Sequence, residues 1–525
     1  MIETGNRTAK LLLIAGAIVL AGCAAPRTPV TQDDGFPAEA ATETFAAGYS
    51  NIVLKYIDPV RLDDLAVEGM RGLGVIDPAL TVRRQDGELV LASADGDVAH
   101  FTLPADKSDA QAWAGLTVAV SRTARTVSPE MDHADIEDIY QAVFDSALSH
   151  LDRYSRYAGR EEAKRHRDRR EGFGGIGVRF QAMEDGAHIT EIVEESPAEK
   201  VGLRPGDILI QVNGKPVRGL SSKQVSHLLR GAIDTSVLLT VRRGDGGTSL
   251  LTYRLKRAHV VPNTVTAEFE SGILILRVNR FNQATSAAIR RKVREAERVY
   301  GDSLEGLVLD LRGNPGGLLK QAIYAADLFL TQGEILRTRG RHPDSEQYYE
   351  AGGADLLPGL PLVVLVDGKS ASAAEITAAA IQDRGRGLVI GTTSYGKGTV
   401  QTVIPLPNDG EITLTWSRFI TPSGYVLHEL GVHPTLCTSA AVPGHGDPVA
   451  YLLARRPQAA AVIADWRTVP FTDNARKKLL RADCPAERHP DSPDELSLAR
   501  RLIEDSALYS RLLGLSNMAA ADARS

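Results

Sequence analysis

Two side chains in this sequence stand in segments that would make each of them reactive. Ser372 lies in Val363-Val-Leu-Val-Asp-Gly-Lys-Ser-Ala-Ser-Ala-Ala-Glu375, an apolar run, a glycine turn and then a small-residue helix. Lys397 lies in Gly391-Thr-Thr-Ser-Tyr-Gly-Lys-Gly-Thr-Val-Gln401, a strand-like stretch that sets the lysine between two glycines. A hydroxyl beside an amine held neutral is a sufficient pair for acyl transfer. A free lysine titrates near ~10.4, so a fall of about 2–3 units corresponds to roughly 3–4 kcal/mol, which burial can supply. The helix start at Ser372 offers unpaired N–H groups and a positive field to an oxyanion. The Ala373 N–H is one such donor. The turn Pro315-Gly316-Gly317 permits a close backbone approach that would supply a second, from one glycine or the other. If residues 397–401 are extended, Lys397, Thr399 and Gln401 share a face, and the Gln401 amide oxygen would orient the amine without adding charge.

These groups need elements to hold them. The 525 residues are 43% hydrophobic and 24% charged, enough for several globular domains. The formal net charge of −6 comes without a long basic block, which speaks against nucleic acid as a partner. The densest basic run, Arg160 to Arg170, also holds acidic residues and reads as a solvated helix face. Gly306-Leu-Val-Leu-Asp-Leu-Arg312 and Leu362 to Val366 read as buried strands, each followed by a glycine turn and a helix. Repeated units of that kind imply a mainly parallel sheet over residues 258–440, with helices over 441–525. Residues 44–171 read as mainly helical with a small meander, punctuated by Asp86-Gly87 and Asp95-Gly96.

Residues 172–257 form a separate unit. Gly174-Gly-Ile-Gly-Val178 is a glycine turn entering a strand, followed by Ser196-Pro-Ala-Glu-Lys-Val-Gly-Leu-Arg-Pro-Gly-Asp207. Ser221 and Gln224 make a capping box, with Leu220 and Val225 as its staple. This order resembles a PDZ domain. The resemblance implies a peptide groove working by strand addition, with the Gly175–Ile176–Gly177–Val178 loop receiving a terminal carboxylate and the helix of Val225 and Leu229 as the facing wall.

At the amino terminus, Arg7 and Lys10 precede the apolar run Leu11 to Leu20, too short to span a bilayer. Leu20-Ala-Gly-Cys23 resembles a bacterial lipobox. That implies a signal peptide over 1–22, lipidation at Cys23, a tether over 23–43 and, from Ala24, sorting to the periplasm-facing outer membrane. Cys437 and Cys484 are left as a disulfide or as two separate buried thiols.

Asp310-Leu-Arg-Gly-Asn-Pro-Gly-Gly317, Ser370-Ala-Ser-Ala-Ala-Glu375 and Gly396-Lys-Gly-Thr-Val-Gln401, behind a PDZ-like unit, resemble the carboxyl-terminal processing (tail-specific) proteases of the S41 serine peptidase class. The resemblance covers most of residues 135–435. It implies a multidomain α+β protein whose α/β, crotonase/ClpP-like Ser-Lys protease core carries an inserted PDZ domain between helical terminal regions. It further implies catalysis by Ser372, Lys397 and Gln401 without cofactor or metal, with Gly317 and Ala373 as oxyanion donors and protein carboxy termini as partners. The family's nucleophile-to-lysine spacing selects Ser372 over Ser370. Glu375 then anchors a helix start or loop, Asp367 is a turn residue, and Asp310 and Arg312 pair structurally. His428 and His433 lack a motif that would support a Ser-His-Asp reading. Asp234 stands where members usually carry glycine, which puts the coupling between PDZ unit and protease in doubt. The alternatives are a catalytically silent PDZ scaffold, or a resting protease that waits for substrate or an adaptor lipoprotein.

Overall fold

The strands of the core are continuous apolar runs because the sheet they build is covered on both faces. In a computed structural model, the structure describes residues 35–243, 249–440, 447–454, 456–489 and 492–522. The expected signal peptide and Cys23 lie outside these residues. From Ala38 the chain forms one compact unit.

That unit opens with helices α1 (Ala38–Lys55) and α2 (Leu62–Arg71). Helix α1 therefore begins inside the stretch expected to be tether. The meander is β1 (Thr81–Gln85), β2 (Glu88–Ser93) and β3 (Gly96–Thr102), all antiparallel. Asp86 and Gly87, both at positive φ, turn β1 into β2. Helices α3 (Ala110–Val127) and α4 (Ile136–Ser149) follow, and Phe45, Tyr49, Tyr140 and Phe144 form an aromatic knot with α1. Strand β4 (Arg156–Ala158) and helix α5 (Arg160–Glu171) lead out of this region.

The PDZ unit contains β5 (Val178–Met183), β6 (Gly186–Ile192), β7 (Ile208–Val212), helix α6 (Ser222–Leu229), β8 (Ser236–Arg242) and β9 (Leu250–Lys256). Its sheet runs β9-β8-β7-β6-β5, which leaves β5 as an edge. The capping box forms as the sequence requires, with Gln224 Oε1 accepting from Ser221 N–H at 2.9 Å and Ser221 Oγ from Gln224 N–H at 3.4 Å. Residues Phe173–Gly175 pair with Ala258–Val260, so the unit leaves and rejoins the chain at one neck. Asp234 has φ +67°, the left-handed conformation glycine adopts most easily and aspartate tolerates. The substitution thus keeps the loop's backbone.

The core sheet runs β10 (Val265–Glu270), β11 (Ile273–Val278), β12 (Gly306–Asp310), β14 (Leu362–Val366), β15 (Leu388–Gly391) and β18 (Leu436–Cys437), parallel from β11 onward. Leu307, Leu309, Leu362, Val364 and Val366 point to the layer of helices α7 (Thr285–Tyr300), α8 (Leu319–Asp327) and α9 (Ala373–Asp383). Val308, Val363 and Leu365 point the other way, onto Leu502, Ile503, Leu508 and Leu512 of the carboxy-terminal helices Pro493–Glu504 and Ser506–Asp522. Each such side chain contributes roughly 1.5–3 kcal/mol by burial. The carboxy-terminal extension is thus one face of the core, although it lies outside the motifs. A second sheet joins β13 (Glu334–Gly340), β16 (Thr399–Pro405) and β17 (Glu411–Ile420), with β4 on the edge of β17.

Candidate active site

Ser372 caps helix α9 with φ +55° and ψ −111°, a conformation that costs a non-glycine residue energy and persists only where neighbours enforce it. The enforcing group is Glu375. Its fully buried carboxylate accepts from Ser372 N–H at 2.7 Å and Lys397 N–H at 2.9 Å, both on Oε2, and from Gly396 N–H at 2.7 Å and the Ser394 hydroxyl on Oε1. Burial pushes its pKa up, and the four donors oppose that rise.

Ser372, Lys397, Gln401 and Gly317 line one cavity of about 340 Å³. Burial, and then Arg156, bring the Lys397 amine down to about 8, and Glu375 and Asp152 only partly counter this. The amine lies over the Tyr154 ring, 4.9 Å from its centre. It makes no hydrogen bond or ion pair to the described residues, so the expected bond to Ser372 Oγ is not formed in this conformation. Gln401 Nε2 donates to Thr399 Oγ1 at 2.9 Å and Thr415 Oγ1 at 3.3 Å, which fixes the amide and leaves its oxygen to accept. The ladder slips between Val400 and Gln401, whose partners on β17 are Ser417 and Thr415.

The two glycines separate clearly. Gly316 N–H is committed to Asn314 Oδ1 at 2.8 Å, whereas the N–H groups of Gly317 and Ala373 have no partner among the described residues. Gly317 has φ +151°, and a Cβ there would stand 2.0 Å from Phe281 O. Ser370 is fully buried, donating to Leu311 O and accepting from Asp367 N–H, both at 2.9 Å, and is a strut. Asp367 Oδ1 accepts from Gly313, Lys369 and Ser370 N–H groups and is the turn residue expected. Arg312 forks onto Asp310 at 2.9 and 2.8 Å and reaches Glu495 at 2.9 Å, all buried. Cys437 and Cys484 are bonded, with Cα atoms 5.9 Å apart. Just beyond, Glu487 O accepts from Gly368 N–H at 2.6 Å and Asp367 Oδ2 from His489 N–H at 3.1 Å, bracing the loop before Ser372.

Several expectations are corrected. Ile176, Val225 and Leu229 are 2%, 0% and 4% exposed and belong to the PDZ core, so they offer no open groove wall in this conformation. The carbonyls of Gly174, Ile176 and Gly177 are all taken, by Gly231, Ala198 and Val193. The N–H groups of Ile176 and Gly177 have no partner among the described residues, and half-buried Val178 sits on the edge strand. Helix α5 is only partly a solvated face: Ala163 packs inward, and His166, Arg169 and Arg170 stand on the wall of the Ser372 cavity. Arg170 pairs bidentately with buried Glu411 at 3.0 Å, and Glu411 also faces His166 at 3.4 Å. Sequence reading missed this wall, and Arg156 and Arg280 with it, because no motif spans the four segments involved.

A sequence profile of peptidase family S41 matches residues 272–437 and a PDZ-domain profile matches residues 188–243. A carboxy-terminal-processing protease of Bartonella bacilliformis is 35% identical over 311 residues, covering 59% of this chain and 71% of that protein. A probable CtpA-like serine protease of Staphylococcus aureus is 31% identical over 303 residues, covering 57% of this chain and 60% of that one. A solved photosystem II D1 C-terminal processing protease shares 27% identity with a TM-score of 0.36, over 71% of this chain and 92% of that one. The chain belongs to the S41 family of serine-type peptidases and carries a PDZ domain ahead of its protease core.

Proposed function

We propose that this peptidase captures substrate carboxy termini with its PDZ domain and hydrolyses peptide bonds with a Ser372–Lys397 dyad oriented by Gln401. Ser372 Oγ attacks the scissile carbonyl as the Lys397 amine takes its proton, and the Gly317 and Ala373 N–H groups hold the oxyanion. The lysine then protonates the leaving amine. Water, deprotonated by the same amine, releases the acyl chain and returns the proton to Ser372. The carrying observation is a lysine buried to a pKa of about 8 on the wall that also holds a serine in strained backbone at a helix start. Purified Ser372→Ala should lose cleavage of a peptide with an apolar carboxy terminus. Processing at the wild-type rate would refute the dyad.

A resting form is the second reading, supported by the closed PDZ core and by the unbonded Lys397 amine. Deleting residues 172–257 separates the cases: higher turnover means an inhibitory PDZ unit, lost turnover a delivering one. A lipid anchor at Cys23, with an envelope location facing the periplasm, rests on the lipobox-like Leu20-Ala-Gly-Cys23. Palmitate labelling that persists in Cys23→Ser would remove it.

A further inference from the structure

The chain carries a formal charge of −6, yet the cavity around Ser372 has a cationic wall. Arg156 comes from β4, His166, Arg169 and Arg170 from α5, Arg280 from the turn after β11, and Lys397 from the irregular segment just before β16. No aspartate or glutamate is among the described residues lining it. Glu411 is buried behind the wall and already taken by Arg170 and His166, and the buried Glu375 carboxylate is committed to its four donors. Arg156, Arg169 and Arg280 have no ion pair or side-chain hydrogen bond among the described residues. The guanidiniums also oppose one another. Burial, and then Arg169, hold Arg280 below the ordinary arginine range, and Arg156 adds to the depression of Lys397. Unpaired like charges gathered on a concave wall are costly unless a ligand of opposite sign fills the space between them. A planar carboxylate matches the guanidinium fork.

The geometry points to a carboxylate subsite beside the scissile bond, formed by Arg156, Arg169 and Arg280, which selects substrates bearing an acidic side chain or a free α-carboxylate at that place. This inference rests on the proposed dyad only for where the cut falls. The anion recognition stands on the arginines alone. Filling the subsite would neutralise the wall and draw the substrate's backbone toward Ser372 and the Gly317 N–H. It would also weaken the Arg156 contribution to the lysine, so the occupant is expected to sit nearer Arg169 and Arg280 than the amine.

The test uses the full chain and quenched peptides in isosteric pairs, Glu against Gln and Asp against Asn flanking the cut, each with a free or an amidated carboxy terminus. Wild type is expected to favour the acid by about tenfold in kcat/KM. Arg169→Gln with Arg280→Gln is expected to bring the ratio near one, and Arg280→Lys to retain part of it. The side-chain pairs and the terminal pairs identify which carboxylate is read. A preference for the free terminus that survives in the arginine variant belongs to the PDZ loop. Should the double variant misfold, salt serves instead: the wild-type acid preference falls as NaCl rises from about 50 to 500 mM, while neutral peptides change little. Binding of the same labelled peptides to Ser372→Ala, followed by anisotropy, keeps the two proposals apart. Should Ser372→Ala bind the acids preferentially while the wild-type chain never cuts them, the dyad is lost and the subsite kept. Equal handling of acid and isostere by wild type, or an undiminished side-chain preference in Arg169→Gln with Arg280→Gln, overturns it.

Discussion

The main-chain nitrogens of Ser372 and Lys397 donate to one and the same oxygen, Glu375 Oε2, at 2.7 and 2.9 Å. They can be no further apart than those two bonds placed end to end, whatever the side chains do. Glu375 is therefore a positioning residue that ties a helix start to the turn before a strand in another sheet. In Glu375→Gln one carboxylate oxygen becomes an NH₂ that faces N–H donors. The expected result is a loss of roughly 10²-fold in kcat with KM little changed, and a lower melting temperature equivalent to about 1.5–3 kcal/mol. An unchanged kcat would show that the clamp is dispensable.

Activity should rise with pH. The Lys397 amine must be neutral to act as base and titrates near 8, so kcat/KM for a neutral peptide should climb through an apparent pKa of about 8 and level above it. A profile flat from pH 6 to 9 contradicts a lysine base.

The same lysine should weaken the fold at neutral pH. Its folded pKa of about 8 lies below its ordinary 10.5, so between these values the unfolded chain binds the proton and the folded chain does not. Stability from this group consequently rises as pH climbs from 8 toward 10.5. Lys397→Met should be inactive yet about 1–3 kcal/mol more stable at pH 7, with the gain shrinking toward pH 10 in urea titrations. A destabilised variant at pH 7 runs against this.

Gly317→Ala should lose nearly all turnover, because the added methyl meets Phe281 O and the N–H must move. Circular dichroism should remain native-like in a chain this large, and a fully active variant would remove Gly317 from the oxyanion site.

Reduction, or Cys437→Ser with Cys484→Ser, frees the segment that braces Gly368 and Asp367. The expected cost is about 2–4 kcal/mol of stability, with an earlier loss of activity on heating. Identical thermal inactivation in oxidised and reduced protein would mean the brace holds without the bond.

Much of this protein was written in local pattern. Apolar runs such as Leu362 to Val366, the glycine turns and the Ser221–Gln224 box act over a few residues, so strand, turn and cap could be read directly. The same locality marked Ser372 and Lys397, whose neighbours are small and permissive. Packing decided what no short pattern carries. Val225 and Leu229 became core because their helix closes onto the PDZ sheet. Arg160 to Arg170 acquired a face on the Ser372 cavity because β4 pairs with β17 and swings α5 over it. The carboxy-terminal helices became one wall of the sheet. The sequence by itself determined which groups are present and which turns hold them. Only the tertiary structure set the burial and the charges around Lys397, because a pKa depends on distances between residues far apart in the chain.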